Sequence, residues 1–240
     1  GMNHPIKASL VNRYFYENFV TDIIANSYDV KRSVFKFIPE LEQKITVIPN
    51  GVDLSQLIEK RSPLKEKLLI GNLGRLVEQK GQSDLIKLGS LLKLEKKKFH
   101  IYIAGEGPMR ADIENQIKLS NLEDHITLLG ETNPAEFFSL IDYFVFPSRF
   151  EGLSNAMLEA LQWGKPIFCY DLASNSEIVK DGMNGYLVKP FDIETLKMRL
   201  IELSETPEKY KLMQKKGQEI LEAKFDSKKL FDQLEELMKP

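Results

Sequence analysis

Two carboxylates lie at the start of one predicted helix in the stretch FPSRFEGLSNAMLEALQWGKPI, residues 146–167. Glu151 lies in the loop that follows an apolar strand, beside Gly152, and Glu159 lies about one turn inside the helix. Each carboxylate can accept hydrogen bonds from two hydroxyl groups, so two of them at different depths suit the recognition of vicinal diols on sugars. The plainer alternative is a solvated helix residue at Glu159 and a helix-dipole partner at Glu151.

The same helix is predicted to begin at Ser154 or Asn155, because both residue types are good N-caps. The backbone N–H groups of Gly152, Leu153 and Ser154 then have no helical acceptor. Such groups at a helix N-terminus favour an anion or hydroxyl oxygens. The loop therefore predicts a binding place for a charged or hydroxyl-rich ligand.

A second loop, GRLVEQKG at residues 74–81, follows another apolar strand. It begins at Gly74 and carries Arg75, which offers a fork of donors, and Lys80, which offers a mobile ammonium. This pair suits two neighbouring phosphates. An ordinary basic loop is the alternative interpretation.

A third loop, GEGPMR at residues 105–110, begins like a dinucleotide-binding fingerprint. Arg110 stands where the third glycine of that fingerprint would be, which argues against a nicotinamide site. Gly105 and Gly107 instead predict a tight turn where a backbone comes close to a ligand.

Composition restricts the class of protein. The 240 residues are 42% hydrophobic and 28% charged, with a formal net charge of −2. No apolar run approaches the ~20 residues of a membrane span, and the charge gives no reason to expect a nucleic-acid partner. One cysteine cannot form an internal disulfide, which fits a reducing, cytoplasmic compartment. With three scattered histidines, it also argues against a metal site.

The elements that must position these loops alternate along the chain. Near-continuous apolar strands separated by helices are typical of a parallel sheet covered on both faces. The predicted strands are 22–27, 45–51, 68–74, 100–105, 126–130, 143–148, 166–171 and 185–189. The predicted helices are 81–97, 108–120, 134–141, 154–163 and 174–180. We therefore predict an α/β fold with a Rossmann-like, doubly wound parallel sheet, in which ligands bind beyond the carboxyl ends of the strands.

The domain organisation follows from where these elements are dense. Residues 53–66 are polar and charged and are interpreted as a linker. Residues 67–225 hold six strands and form the predicted ligand-binding domain. Residues 1–52 hold two strands and two helices, too few to close a core alone, and are interpreted as the remnant of another domain. Residues 226–240 are predicted to be a C-terminal crossover helix.

Taken together, five strings resemble the C-terminal, nucleotide-sugar-binding half of the retaining glycosyltransferases of family 4 (group 1), which have the GT-B fold. In chain order they are VIPNGVD, GRLVEQKG, AGEGPMR, FPSRFEGLSNAMLEALQWGKPI and SEIVKDGMNGYLV. The resemblance runs from about residue 22 to 225, and the E-x7-E spacing from Glu151 to Glu159 is its most specific part.

The resemblance implies roles for the acidic and basic residues. Arg75 and Lys80, in the loop that Gly74 opens, would hold the diphosphate of a nucleotide sugar. Glu159 would accept hydrogen bonds from the ribose hydroxyls, and Glu151 would contact the transferred hexose and position it. Glu151, Arg75 and Lys80 are thus the candidate catalytic residues, because negative charge builds on the departing diphosphate in the transition state.

The resemblance also implies roles for backbone groups at the donor. The N–H groups of Gly152 and Leu153 would join the donor contacts, with Ser154 at the start of the helix. Gly105 and Gly107 would let the nucleotide approach the strand ends. No metal or other cofactor is expected.

The base of the nucleotide would lie near Glu131 and Thr132, in the loop after the strand ITLLG. Which base, which sugar and which acceptor the chain uses is left open by the sequence. A glycan or a lipid-linked acceptor is implied by the resemblance, in a cytoplasmic enzyme whose full-length form contacts the membrane peripherally.

The sequence departs from the family in length, because a whole enzyme has two Rossmann-like domains. Gly1 before Met2 is interpreted as a tag remnant, and the chain as a truncated enzyme whose acceptor-side domain is absent. A natural protein that pairs with another chain is the alternative. We expect the chain alone to bind donor weakly, to transfer no sugar, and to dimerise through apolar surface that the absent domain would cover.

Other classes of function remain as alternatives. A non-catalytic nucleotide-sugar-binding module would share the same donor loops. A nucleotide-sugar epimerase of GT-B architecture would need a histidine near the cleft, whereas His100 and His125 are predicted at the opposite end of the sheet. An NAD-dependent dehydrogenase is disfavoured by the broken glycine pattern at residues 105–110.

Overall fold

The computed structural model describes residues 9–56 and 67–239. Most of the predicted linker at 53–66, and the Gly1–Met2 start, lie outside the described residues. Within the described residues, six parallel strands form one sheet: β3 (Leu68–Leu73), β4 (Phe99–Ala104), β5 (Ile126–Gly130), β6 (Tyr143–Phe146), β7 (Ile167–Tyr170) and β8 (Gly185–Val188). Their order across the sheet is β5-β4-β3-β6-β7-β8.

The strand order places a topological switch between β3 and β6. From β3 the chain moves outward through β4 to β5, then returns to place β6 on the other side of β3. In the registers, Leu68 pairs with Phe99 on one side of β3, and Ile70 pairs with Tyr143 on the other. Loops leaving β3 and β6 at their carboxyl ends therefore meet, which is where open α/β sheets bind ligands. The predicted doubly wound sheet is confirmed.

Helices cover both faces of this sheet and create two apolar cores. One core joins β-strand residues such as Ile101 to Leu85 and Leu196, and the other joins Phe144 to Phe137 and Leu158. The helices of this part are α3 (Gln82–Leu94), α4 (Arg110–Leu119), α5 (Pro134–Leu140), α6 (Asn155–Gln162), α7 (Asn175–Ile178), α8 (Ile193–Ser204), α9 (Pro207–Lys224) and α10 (Ser227–Leu237). All four residues of β6 are buried, as expected for a strand covered on both faces.

Residues 9–52 form a smaller unit around a small apolar cluster of five buried residues, Ala25, Val34, Ile38, Leu41 and Ile45. Strands β1 (Ile23–Ala25) and β2 (Ile45–Val47) pair in parallel as a separate two-stranded sheet. Helices α1 (Leu10–Phe19) and α2 (Tyr28–Phe37) accompany them. Residues 9–52 thus contain the two strands and two α-helices that were predicted for residues 1–52, and the domain boundaries stay a prediction.

The smaller unit is joined to the main body by hydrogen bonds. The backbone N–H groups of Tyr28 and Asp29, at the start of α2, donate to the carboxylate of Glu177 at 3.0 and 2.9 Å. Val52 exchanges backbone hydrogen bonds with the turn between α9 and α10, at 2.8 Å to Phe225 and 3.1 Å from Ser227. These contacts place the start of α2 beside α7, and Val52 beside the turn between α9 and α10.

No helix in the described ranges is long and apolar enough to cross a membrane.

Candidate functional site

The loops after β3 and β6 are bonded to each other at the switch point. The backbone N–H of Arg149 donates to the carbonyl of Gln79 at 2.8 Å, and the Gln79 amide donates to the carbonyl of Phe150 at 2.6 Å. Gly81 has φ of 71°, and a Cβ there would lie 2.2 Å from the carbonyl oxygen of Pro147. Only glycine fits that approach, so the two loops are held as one structure.

Lys80 and Glu151 form an ion pair across these loops. Glu151 also accepts a hydrogen bond from the Ser148 hydroxyl at 2.6 Å. Their side chains are 22% and 12% exposed, so the pair is mostly withdrawn from water. The ammonium of Lys80 lies 5.2 Å from the centre of the Phe146 ring, which adds a favourable cation–π contact. The structure therefore brings together two of the three predicted catalytic residues.

Arg75, the third, is exposed at the beginning of the same loop. Its guanidinium has no hydrogen bond or ion pair to any residue in the described parts of the chain. Gly74 before it donates its backbone N–H to Ala104 at 3.0 Å, which fixes the loop to the end of β4. Arg75 is therefore a cation available to a ligand at the sheet edge.

Helix α6 begins at Asn155 with Ser154 as its N-cap, as predicted. The Ser154 side chain makes no capping hydrogen bond. The backbone N–H groups of Gly152, Leu153 and Ser154 find no acceptor within the residues that the structure describes. This helix end thus offers unpaired donors and a positive dipole end to a ligand.

Glu159 lines a cavity of about 540 Å³ between α6, α10 and the end of the smaller unit. Its carboxylate has no hydrogen bond or ion pair to any described residue. Burial raises the pKa of this carboxyl above its usual value. Nearby, the side-chain amide of Asn50 donates to Asn155 at 2.7 Å. The cavity is lined by Ile24, Ile48, Pro49, Asn50, Gly51, Val52, Asn155, Glu159, Ser227, Leu230, Phe231 and Leu234.

The two carboxylates of the motif have separate surroundings. Glu151 contacts the loop after β3, and it is not among the residues that line the cavity of Glu159. Their predicted roles toward two parts of one ligand stay a prediction.

Gly105 and Gly107 are required by the protein's own backbone. Gly105 has φ of 125°, and a Cβ on it would lie 2.2 Å from the carbonyl oxygen of Gly74. A Cβ on Gly107 would lie 2.3 Å from the carbonyl oxygen of Leu76. These glycines therefore let the loop after β4 pack against the loop after β3, while their contact with a nucleotide stays a prediction.

Glu131 and Thr132 follow β5, the edge strand of the sheet. Strands β4 and β3 separate them from the loop after β6 that carries Glu151. They have no hydrogen bond or ion pair within the described residues. The predicted base-binding residues therefore lie at the carboxyl end of the same sheet as Glu151, but with two strands between them and the loop after β6.

Three residues make contacts around the site that the sequence did not predict. Asn50 lies in the string VIPNGVD, whose role the sequence left unassigned, and it reaches the first residue of α6. Glu177 caps the first turn of α2 from 148 positions away, and Arg149 links the two loops at the switch point. Sequence spacing carries no signal for such contacts, because they depend on which strands become neighbours.

The histidines lie at the other end of the sheet. His100 is near the beginning of β4, and its ring nitrogen lies 2.8 Å from the Thr127 hydroxyl. His125 precedes β5 and stacks on Phe99 with ring centres 4.6 Å apart. The predicted position of both histidines is confirmed. Among residues 9–56 and 67–239, no group of three or more His, Cys, Asp or Glu side chains could hold a metal ion.

Known proteins are similar to this chain in both sequence and fold. An uncharacterised glycosyltransferase of Methanocaldococcus jannaschii is 29% identical over 209 residues, covering 77% of this chain and 51% of the relative. The α-D-kanosaminyltransferase of Streptomyces kanamyceticus is 28% identical over 181 residues, covering 74% and 47%. The chain thus spans about half the length of these curated relatives.

A solved structure of Anabaena HepE in complex with UDP and glucose superposes on this chain with a TM-score of 0.82 at 22% identity. The alignment covers 95% of this chain and 65% of HepE. The fold is that of GT-B glycosyltransferases. Residues 55–220 match the family described as "Glycosyl transferases group 1". Because this match covers more than half of the chain, the chain belongs to the group 1 glycosyltransferase family, of the GT-B type.

Proposed function

We propose that this chain is the donor-binding portion of a retaining, family 4 glycosyltransferase. The whole enzyme would transfer a hexose from a nucleotide diphosphate sugar to a glycan or lipid-linked acceptor in the cytoplasm. The observation that carries this proposal is the switch point, where Arg75, Lys80 and the unpaired start of α6 converge on one edge of the sheet. The complex of HepE with UDP and glucose supports a uridine nucleotide as the first donor to test.

The diphosphate is the part of the donor that these groups suit best. Arg75 has no partner in the described residues and can take a phosphate without breaking an existing contact. Lys80 is paired with Glu151, so a phosphate must share or displace that carboxylate. Together with the α6 N-terminus they place positive charge where negative charge grows on the leaving group. For that reason we propose transfer without a metal ion.

The carboxylates suit the sugars of the donor. Glu159 lies in a cavity of about 540 Å³ without a partner of its own, so ribose hydroxyls would supply hydrogen bonds that it lacks. Glu151 is paired with Lys80 in the loop that leads into α6, where it would contact the transferred hexose. Glu131 and Thr132 would approach the base.

Because the chain spans about half of its relatives, the proposal separates binding from transfer. The chain alone is expected to bind the donor and to leave the acceptor untouched. Robust transfer by this chain alone would contradict that part of the proposal.

Calorimetric titration with UDP, GDP, ADP and their hexose conjugates tests the donor site. We expect one nucleotide to bind saturably. Arg75→Ala should lower the affinity for the nucleotide diphosphate about tenfold, as for loss of a charge-assisted hydrogen bond. Glu159→Ala should lower the affinity for nucleotides, which carry ribose, and leave the affinity for pyrophosphate unchanged. Arg199→Ala on α8, which removes a surface cation paired with Glu202, is the matched control and should bind like the parent. A folded chain that binds none of these ligands would overturn the proposal.

A further inference from the structure

Arg149 is a residue of the loop after β6 to which the proposed chemistry assigns no role. Its guanidinium donates to the Glu78 carboxylate at 2.9 Å. The same guanidinium lies 5.3 Å from the centre of the Phe191 ring, in the loop after β8. One side chain thus contacts the loops that follow β3 and β8 from its own place after β6.

The contact with Glu78 bears directly on Lys80. Glu78, Gln79 and Lys80 form a single 3₁₀ turn, Glu78–Lys80. Arg149 binds the first residue of that turn through its side chain and the second through its backbone N–H, at 2.8 Å. The third residue of the turn reaches Glu151. The turn is therefore held from the β6 side at each of its three positions.

The surroundings of Arg149 indicate that it is kept for these contacts. Its Nε–H is buried and has no acceptor among the described residues, and such unpaired buried donors are uncommon in folded proteins. Phe191 has φ of 69°, a left-handed conformation that a bulky residue seldom adopts. Local strain of this kind persists where the surrounding structure imposes it, and it gathers at functional sites.

We propose that Arg149 is a positioning residue for the diphosphate subsite. It clamps the Glu78–Lys80 turn against the loop after β6 and so sets the position of the Lys80 ammonium relative to Glu151. The proposal rests on the proposed function, because it concerns the same subsite. Arg149 acts through Lys80 and does not itself touch the diphosphate.

A double-mutant cycle with pyrophosphate tests this, because pyrophosphate carries neither base nor sugar. Affinity is measured by calorimetry for the parent chain, Arg149→Ala, Lys80→Ala and the double variant. Arg149→Ala should weaken pyrophosphate about fivefold in the parent and less than twofold when Lys80 is already alanine, since coupled residues are not additive. Arg149→Lys keeps a cation for Glu78 and Phe191 but loses the planar guanidinium, so its affinity should lie between those of Arg149→Ala and the parent.

An equal loss in both backgrounds would mean that Arg149 acts independently of Lys80, and would overturn the proposal. So would unchanged affinity in Arg149→Ala. Thermal unfolding of each variant shows that it is folded, and Arg199→Ala controls for removal of a paired surface guanidinium.

A second readout needs no ligand. The Lys80 N–H donates to Val77 at 2.9 Å and the Gly81 N–H donates to Glu78 at 3.2 Å, so hydrogen exchange at these two amides reports the turn. Arg149→Ala should speed exchange at both by about fivefold or more, while Arg199→Ala leaves it unchanged. If the parent binds no pyrophosphate, the proposed diphosphate site is wrong. Hydrogen exchange at the two amides then still tests whether Arg149 holds the Glu78–Lys80 turn in place. Unchanged exchange in Arg149→Ala overturns the clamp whatever the binding result.

Discussion

Glu151 and Glu159 come from one loop-and-helix segment, and their surroundings differ in almost every respect. Glu151 is paired with Lys80 and accepts a hydrogen bond from Ser148. Glu159 has neither kind of partner in the described residues, and burial raises its pKa. The first carboxylate is part of the protein's own bonding, whereas the second is left for something else to satisfy.

The difference shows two ways in which a fold can prepare a binding carboxylate. A partnered carboxylate is held in place, but a ligand must exchange with the partner it already has. An unpartnered one costs the folded protein stability, and a ligand that donates hydrogen bonds recovers that cost on binding. We therefore expect stability to depend on the Glu151 side of the segment and to improve when the charge of Glu159 is removed.

The largest expected effect comes from separating the two loops that Lys80 and Glu151 join. Gly81→Ala places a Cβ 2.2 Å from the Pro147 carbonyl oxygen and forces an alanine into φ of 71°. The left-handed conformation together with the clash should cost roughly 3 kcal/mol of unfolding free energy. Urea denaturation measures the loss, and thermal unfolding should shift down by about 6–12 °C.

The control for this substitution is Gly182→Ala. Gly182 has the same φ of 71°, and no atom lies within 4 Å of a Cβ placed there. It should cost only about 1 kcal/mol, the price of the backbone conformation alone. Equal losses in the two variants would show that the contact between the loops contributes nothing.

The next largest effect should come from Glu151→Ala. The substitution leaves the Lys80 ammonium, only 22% exposed, without its carboxylate. Removing one partner of such a pair should cost about 2 kcal/mol, measured by urea denaturation at neutral pH. Adding Lys80→Ala should return part of that loss, because no uncompensated charge then remains.

Glu219→Ala is the matched control for that experiment. Glu219 pairs with Lys216 on the exposed surface of α9, and its loss should change the unfolding free energy little. If Glu151→Ala were as mild as Glu219→Ala, the bonding role of Glu151 would be wrong.

The sequence predicted the elements better than the contacts between them. Strand β6 was recognisable as an apolar run, and α6 begins where its capping residues predicted. The strand order could not be predicted in the same way, because apolar runs look alike whether they lie at the centre or the edge of a sheet.

The candidate site shows the same limit. That Lys80 reaches Glu151 and that Glu177 reaches α2 depends on which loops become neighbours, across 71 and 148 positions of sequence. Gly105 and Gly107 were predicted to let a ligand approach; the structure shows that they also let another stretch of backbone approach, which the sequence did not indicate, and their contact with a nucleotide stays a prediction. Residue types predicted which chemistry the loops carry, and packing decided which of the groups are already satisfied.

The smallest effect, and the most specific, concerns the charge of Glu159. Its pKa is raised in the folded protein, so the folded state holds this proton to higher pH than the unfolded chain does. Stability should therefore fall as the pH rises from the usual carboxyl value, near 4.5, through the raised pKa, and then level off. Glu159→Gln removes this dependence, so its stability relative to the parent should grow across that window.

Urea midpoints measured between about pH 3 and pH 8 cover the window of Glu159, above the usual carboxyl value, and that of Glu219, below it. Glu219→Gln is the control of opposite sign, because the hydrogen bond from Lys216 lowers the pKa of Glu219. Its loss should make the variant less stable, relative to the parent, as the pH rises. If the Glu159→Gln difference were flat, or had the sign of the Glu219→Gln difference, Glu159 would have a partner in solution. The contrast between the two carboxylates of the segment would then be lost.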